Sequence, residues 1–147
     1  EGAMAFSKGL GAPIGSLLAG SVSAIERARF YRKQQGGAMR QVGILAEAAR
    51  YALENNRDRL SEDHDNCKIL AEGLAKISGI KVDGAGPETN MVFINTGDHE
   101  AADLNRRLEG LGVRLLQTGT NTLRAVTNLT VSKEEIDDVL KAFKKLV

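Results

Sequence analysis

The stretch Phe6-Ser7-Lys8-Gly9-Leu10-Gly11-Ala12-Pro13-Ile14-Gly15-Ser16 places one lysine ahead of three glycines and a proline. Glycines let backbone approach a flat ligand closely, so Lys8 is a candidate Schiff-base nucleophile. The alternative, an ordinary solvated lysine, stays open at this point because most lysines are solvated. A phosphate-binding P-loop is excluded because its lysine follows the glycines. The dinucleotide fingerprint is excluded too, because the spacing G-x-G-x-x-x-G is one residue too long.

Composition predicts a single domain by length and excludes several classes of partner. The chain has 147 residues, of which 42 % are hydrophobic, and this is enough for a buried core. Its 20 basic and 19 acidic side chains give a net charge of +1, so no overall field attracts nucleic acid or an anionic membrane. No apolar run approaches the roughly 20 residues of a membrane-spanning helix, and we expect no signal peptide.

The single cysteine, Cys67, excludes a disulfide framework within the chain. It predicts a reducing, cytoplasmic compartment. Cys67 lies in a helical pattern, where a small core-facing thiol is the expected role and a catalytic thiol is the alternative.

Two short strands are predicted near the start of the chain. Residues 3–6 would end a buried strand that delivers Lys8. Residues 14–20 form an apolar, glycine-bounded run that is typical of a strand inside a parallel sheet. Such strands need neighbours on both edges, and residues 1–54 offer few, so this part is not expected to be self-sufficient.

Two helices are predicted to follow these strands. Ser23 and Glu26 form a Ser-x-x-Glu capping box, which predicts a helix start near residue 23. Gly36-Gly37 would end that helix, and apolar positions at helical spacing predict a second helix from residue 39 to about residue 54.

The first of these helices carries a basic cluster with three interpretations. Its members are Arg27, Arg29, Arg32 and Lys33, interleaved with Phe30 and Tyr31. A solvated helix face is the usual meaning of a charge run. Nucleic-acid binding is disfavoured by the near-neutral total charge and the lack of a known motif. The third interpretation is an anionic partner, a phosphate or carboxylate at a subunit contact.

The rest of the chain predicts an α+β unit with an antiparallel sheet. The predicted order is helix, strand, strand, helix, strand, strand, helix, over residues 57–77, 80–82, 91–94, 99–110, 113–116, 122–127 and onward from a capping box at Ser132. Asn90 and Asn128 are assigned to turns beside strands, and Thr127 is left without a role.

A metal site is not expected in Glu62-Asp63-His64-Asp65. His64 has no second His or Cys nearby, and carboxylates at neighbouring positions of a helix point in different directions. His99 is expected at the surface, and neither histidine is a strong general-base candidate.

Arg124 is the second candidate site residue. It follows Leu123 and precedes Ala125-Val126 in a predicted strand, where a buried guanidinium needs a partner. One interpretation is an edge-strand arginine that points to solvent. The other is bidentate capture of a carboxylate, which the planar guanidinium suits.

Five motifs occur together and in a fixed order. They are Ser7 to Ser16, Arg32-Lys33 with Gly36-Gly37-Ala38-Met39-Arg40-Gln41, Glu62-Asp63-His64-Asp65-Asn66, Thr89-Asn90-Met91 and Arg124-Ala125-Val126-Thr127-Asn128-Leu129. In this order they resemble the L-threonine aldolase / aromatic amino acid β-eliminating lyase family. The matches extend over nearly the whole chain, but the family's enzymes are much longer. The chain resembles only their C-terminal part.

This resemblance implies an α/β fold of the fold-type I class, whose enzymes depend on pyridoxal 5'-phosphate. Residues 1–54 would be the C-terminal end of the cofactor-binding large domain, with its parallel sheet. Residues 55–147 would be a small α+β C-terminal domain with an antiparallel sheet.

The resemblance also implies roles for particular residues. Lys8 would be the Schiff-base lysine of pyridoxal 5'-phosphate. Lys33 and Arg40 would approach the cofactor, in some members from a neighbouring subunit. Arg124 would bind the α-carboxylate of the amino-acid substrate, and no metal is implied.

The implied reaction is the cleavage of L-threonine, L-allo-threonine or other β-hydroxy-α-amino acids to glycine and an aldehyde, in a homo-oligomer. The family's pyridinium-binding aspartate, ring-stacking histidine and most phosphate-binding groups lie upstream, so this chain would need the upstream segment. Two alternatives stay open: a β-eliminating lyase, or a non-catalytic α+β fragment or interaction domain that lacks the cofactor cradle.

Overall fold

A computed structural model describes residues 1–84 and 86–147, and it divides them between two units, Glu1–Asp58 and Arg59–Val147. The first unit contains β1 (Gly2–Ala5), β2 (Ser16–Ala19), α1 (Val22–Gln34) and α2 (Gly43–Asn55). The second contains α3 (Leu60–Leu74), β3 (Lys81–Val82), β4 (Met91–Asn95), α4 (Ala101–Glu109), β5 (Leu116–Gly119), β6 (Thr122–Val126) and α5 (Lys133–Leu146).

The two strands of the first unit form an antiparallel pair in which Ala3 faces Leu18 and Met4 faces Leu17. A parallel arrangement was expected for residues 14–20, but parallel neighbours need a long crossover connection. Here the lysine loop returns the chain directly. Leu17 and Leu18 are 45 % and 50 % exposed, so this hairpin buries neither of them within the chain.

Helix α1 begins close to the expected residue but with a different cap. Ser21 is the N-cap, and its hydroxyl accepts a hydrogen bond from the amide of Ala24. The capping box predicted at Ser23 and Glu26 is therefore wrong. The cap must have an extended backbone, as Ser21 does, whereas Ser23 already lies inside the helix. Helix α1 has no buried residue.

Helix α2 begins at Gly43, four residues later than predicted. The backbone of Gln41 has a φ of 48°, in the left-handed region, and this conformation is incompatible with helix propagation. The apolar spacing that begins at Met39 therefore extends past the true helix start. Ala52 is the buried residue of α2.

The second unit has the predicted element order and an antiparallel sheet in the order β3-β4-β6-β5. One face of the sheet carries the buried residues Val92, Ile94, Leu123 and Ala125. Helices α3, α4 and α5 complete the core with Cys67, Leu70, Leu74, Leu104, Leu108, Ile136 and Phe143. The core-facing thiol predicted for Cys67 is confirmed, because the residue is fully buried.

The predicted capping box of the last helix is confirmed in full. The amide of Glu135 donates to the Ser132 hydroxyl, and the Glu135 carboxylate accepts a hydrogen bond from the Ser132 amide. Here the box residues coincide with the N-cap and the third helical position, as the motif requires.

The strand predicted at residues 113–116 begins only at Leu116. The preceding residues bond to the end of α4 instead: the Val113 amide donates to the Leu108 carbonyl, and the Leu115 carbonyl accepts from the Asn105 side chain. Apolar character alone does not distinguish a strand from a buried helix extension.

Two glycines of the second unit allow a test of how backbone crowding affects stability. A Cβ at Gly97 (φ 59°) would lie 2.3 Å from the Gly79 carbonyl oxygen, whereas a Cβ at Gly112 (φ 85°) would meet nothing within 4 Å. We expect Gly112→Ala to lower the free energy of unfolding by about 1 kcal/mol, the cost of a left-handed alanine. Gly97→Ala should cost about 3 kcal/mol, because backbone must also move.

Urea denaturation of the two variants, followed by circular dichroism, measures the difference. Gly112→Ala is the matched control, since it carries the backbone cost without the collision. Equal losses in both variants would show that the contact with Gly79 is irrelevant to stability.

Candidate functional site

The loop that carries Lys8 is braced by its own backbone. The Phe6 amide donates to the Gly15 carbonyl over 3.0 Å, and the Ala12 amide donates to the Phe6 carbonyl over 3.0 Å. The Gly11 amide donates to the Lys8 carbonyl over 2.8 Å, which closes a turn around the lysine. Only the backbone of Lys8 takes part in these bonds.

Buried side chains and one side-chain hydrogen bond also hold this loop in place. Phe6, Leu10 and Ala12 are each less than 10 % exposed, and the Asn56 side chain donates to the Leu10 carbonyl over 2.7 Å. Lys8 itself is exposed. The loop therefore presents a solvent-accessible amine on a fixed support.

Two of the loop glycines are required by backbone conformation. Gly11 has a φ of 73° and Gly15 a φ of 117°, both of which L side chains rarely adopt. These two glycines are therefore needed for the shape of the loop itself. From the sequence alone, the glycines were explained only by close approach of the backbone to a ligand.

The other two predicted cofactor-site cations also lie in the first unit. Lys33 is in the last turn of α1, and Arg40 lies in the connection between α1 and α2. Both are exposed. In residues 1–84 and 86–147, no ion pair or side-chain hydrogen bond joins Lys8, Lys33 or Arg40 to another group. All three cations are therefore available to an anionic ligand.

Arg124 lies at the centre of the open face of the second unit's sheet. Strand β6 pairs with β4 on one side and β5 on the other, so the edge-strand interpretation of Arg124 is wrong. Its direct neighbours across the ladder are Phe93 and Leu116, both partly exposed. Arg124 is half-buried, and its Nε is a buried donor without a hydrogen-bond partner among the described residues.

An unpaired donor in such surroundings indicates a site for an acceptor from outside. A buried polar group without a partner costs about 1–3 kcal/mol, and this cost is recovered when a ligand reorganises the site and pairs with it. A guanidinium flanked by apolar side chains binds a carboxylate more strongly than it would in open water.

A buried hydrogen-bond network lies just past the end of the strand that carries Arg124. The Thr127 hydroxyl donates to the Asp63 carbonyl over 2.6 Å, and the Thr127 amide donates to the Asn90 carbonyl over 3.0 Å. The Asn90 side chain donates to the Thr127 carbonyl over 2.8 Å. The turn role predicted for Asn128 is confirmed, since its side chain accepts from the amide and the hydroxyl of Thr130. The Asn90 side chain bonds to the distant Thr127 carbonyl and not within a turn.

Asp63 in this network has a role that the sequence did not suggest. Its carboxylate is 1 % exposed and forms an ion pair with Arg59 at 2.6 Å. The available signal was the i,i+4 spacing of Arg59 and Asp63 on α3. Near the same network, the pKa of the Cys67 thiol is raised by burial, and a hydrogen bond with Thr127 only partly offsets this increase.

The two histidines, metal binding and membrane-spanning helices are the remaining features considered from the sequence. His64 and His99 are half-buried. Within the described residues, no group of three His, Cys, Asp or Glu side chains could hold a metal ion. None of the described helices has the length and apolar character needed to cross a membrane.

The structure places the predicted site residues in two groups. Lys8, Lys33 and Arg40 belong to the first unit and Arg124 to the second. On α1, Arg29 and Arg32 line a groove against the hairpin together with Leu17 and Leu18. Both arginines are exposed, so this groove beside the hairpin is open to solvent.

Comparison with known protein families and sequences gives a consistent result. A family model described as β-eliminating lyase matches residues 2–97. Low-specificity L-threonine aldolase 1 of Arabidopsis thaliana is 41 % identical over 95 % of this chain and 40 % of its own length. Low specificity L-threonine aldolase of Escherichia coli K12 is 45 % identical over 90 % of this chain and 38 % of its own length. The chain thus spans about two fifths of the curated relatives it matches.

Solved structures share the fold at lower sequence identity. A Listeria monocytogenes protein assigned as an L-allo-threonine aldolase matches with a TM-score of 0.79 at 20 % identity, over 99 % of this chain and 44 % of its own. An Exiguobacterium protein assigned as an aromatic amino acid β-eliminating lyase/threonine aldolase matches with a TM-score of 0.78 at 22 % identity, over the same shares. These likenesses confirm the predicted fold class.

Proposed function

Because this chain belongs to the β-eliminating lyase family, we propose that it supplies the reactive lysine and the substrate-binding arginine of a pyridoxal-phosphate-dependent lyase. The proposed reaction cleaves L-threonine, L-allo-threonine and related β-hydroxy-α-amino acids to glycine and an aldehyde. The observation that carries the proposal is the Lys8 loop, in which a braced backbone holds an exposed amine that has no anionic partner among the described residues.

The residues of the first unit have the chemistry to hold this cofactor. Lys8 offers a primary amine for covalent attachment to the aldehyde, and Lys33 and Arg40 are exposed cations suited to its phosphate. When bound, pyridoxal 5'-phosphate supplies an electron sink for the pair released as the substrate's Cα–Cβ bond breaks.

Arg124 would bind the substrate through its α-carboxylate. Two parallel hydrogen bonds from the guanidinium fix both position and orientation of a carboxylate. This contact fixes the orientation of the amino acid, and with it the orientation of the Cα–Cβ bond that is broken in the reaction. The apolar neighbours Phe93 and Leu116 reduce the competition from water.

The enzyme would be completed by residues outside this chain. In this proposal, residues 1–54 form the end of a cofactor-binding large domain and residues 55–147 form a small domain. Several apolar side chains of the first unit are exposed, among them Leu17, Leu18 and Phe30. Their exposure supports the proposal that an upstream segment or a second subunit packs against them. We place the enzyme in the cytoplasm as a homo-oligomer, and the buried free thiol of Cys67 agrees with a reducing compartment.

The test uses a hybrid enzyme, in which this chain replaces the matching segment of the Escherichia coli relative. The hybrid, loaded with pyridoxal 5'-phosphate, should release glycine and acetaldehyde from L-threonine, with the unmodified relative as positive control. A folded, loaded hybrid that releases neither product would contradict the proposal.

Labelling gives a second readout that does not depend on turnover. Borohydride reduction with pyridoxal 5'-phosphate, followed by digestion and mass spectrometry, should place a pyridoxyl group on Lys8. A label spread evenly over the lysines would show that Lys8 is an ordinary surface residue.

A second candidate reaction is β-elimination, which the description of the matched family favours. It would use the same lysine and arginine and would release pyruvate and ammonia from substrates such as serine. Assaying both product pairs with the same hybrid preparation distinguishes the two reactions.

A further inference from the structure

Arg124 is positioned by its backbone rather than by hydrogen bonds of its side chain. Its Nε is buried and unpaired, and no side-chain hydrogen bond or ion pair of Arg124 occurs in the described part of the chain. Its neighbours across the ladder, Phe93 and Leu116, carry no polar side-chain atoms. The place of the guanidinium therefore depends on how firmly strand β6 is held.

The end of β6 is held by the hydrogen bonds that Thr127 makes with Asn90 and Asp63, which we call the Thr127 clamp. The Thr127 amide and carbonyl bond to the carbonyl and the side chain of Asn90, which precedes β4. The Thr127 hydroxyl reaches the Asp63 carbonyl on α3 at 2.6 Å. Thr127 is 2 % exposed, so water does not compete for these bonds.

The α3 side of the clamp is itself anchored. Asp63 is 1 % exposed, and its carboxylate accepts hydrogen bonds from both terminal nitrogens of Arg59, at 2.6 and 3.3 Å. A bidentate pair of this kind fixes orientation as well as distance. The clamp therefore links β6 to a helix residue that has little freedom to move.

We propose that Thr127 is a positioning residue for Arg124, an inference that rests on the function proposed above. Thr127 lies three residues after Arg124, one residue past the end of β6, and its side chain is buried while Arg124 is on the open face. The hydroxyl bond to Asp63 holds the end of β6 and so limits the positions of the guanidinium. A bidentate contact to a carboxylate is sensitive to displacement, so loosening the clamp weakens substrate binding.

The test compares three variants of the hybrid enzyme. Thr127→Val keeps the shape and removes the hydroxyl; it should raise the KM for threonine about fivefold and leave kcat within about twofold. Thr127→Ser keeps the hydroxyl and should restore the KM. Thr130→Val is the matched control, because Thr130 is exposed and its hydroxyl bonds, among the described residues, to the side chain of Asn128.

A double-mutant cycle separates positioning from general stability. In an Arg124→Lys background, Thr127→Val should change KM less than about twofold, because the group it positions has been removed. An undiminished effect in that background, or a loss in kcat with KM unchanged, would overturn the proposal. If Thr127→Val does not fold by circular dichroism, Asn90→Ala, which removes the side-chain amide that donates to the Thr127 carbonyl, takes its place.

The two proposals can fail separately. If the parent hybrid cleaves no amino acid, the proposed function fails. Calorimetric titration with glycine then measures carboxylate binding in the same variants. Weaker glycine binding by Thr127→Val, relieved in Thr127→Ser, would still support the positioning role, and equal binding would reject it.

Discussion

Replacing Lys8 by alanine should lower kcat for threonine cleavage in the hybrid enzyme by at least about 1,000-fold, because no other group replaces a covalent nucleophile. The loop should keep its conformation, since Lys8 contributes only its carbonyl to the backbone bonds that brace it. The loss would then reflect chemistry and not folding. Product release is measured with enzyme-coupled assays for acetaldehyde and glycine.

Lys76→Ala is the matched control for this variant. Lys76 is an exposed lysine just after α3, without an ion-pair partner in the described residues, and its loss should leave kcat within about twofold. After borohydride reduction, the Lys8→Ala variant should carry no pyridoxyl label on the peptide that contains residue 8, whereas Lys76→Ala should keep the label on Lys8. Retention of activity by Lys8→Ala would refute the role of Lys8 as the reactive lysine.

Replacing Arg124 by lysine should raise the KM for threonine about 30- to 100-fold, with a smaller effect on kcat. Lysine keeps the positive charge but loses the planar pair of donors, and each hydrogen bond to a charged group contributes about 1.5–3 kcal/mol. The effect should be large because the flanking residues Phe93 and Leu116 offer no polar side-chain group that could replace the lost bond.

Arg114→Lys makes the same chemical change where the side chain is 86 % exposed. Such a surface arginine contributes little, and its KM should stay within about twofold of the parent. The comparison is made with steady-state kinetics over a range of threonine concentrations. If both arginine variants behave alike, the carboxylate-binding role of Arg124 is wrong.

Local signals in the sequence predicted the second unit well. The capping box at Ser132, the apolar spacing of α5 and the alternation of buried residues in β4 and β6 all act within a few residues. These signals fail where two local patterns compete. Ser21 and Ser23 are both acceptable caps by type, and only backbone conformation selected Ser21.

The burial of the polar residues was not predictable in the same way. Asp63 lies in a run of charged residues that has the composition of a surface segment, yet it is buried against Arg59 and beside Thr127. Thr127 is 64 positions from Asp63 in sequence. Contacts of that separation leave no periodic signal, because either residue alone is compatible with an exposed position.

The sequence by itself determined the lysine motif, the family resemblance and the order of elements, because these depend on residue types and short spacings. Only the tertiary structure decided that Lys8 is exposed on a braced loop. The same structure decided that Arg124 lies on an inner strand and that its Nε has no partner among the described residues. It also decided that the end of this strand is clamped to α3. Strand pairing, burial and the partners of a donor arise from residues distant in the chain, and local chemistry does not specify them.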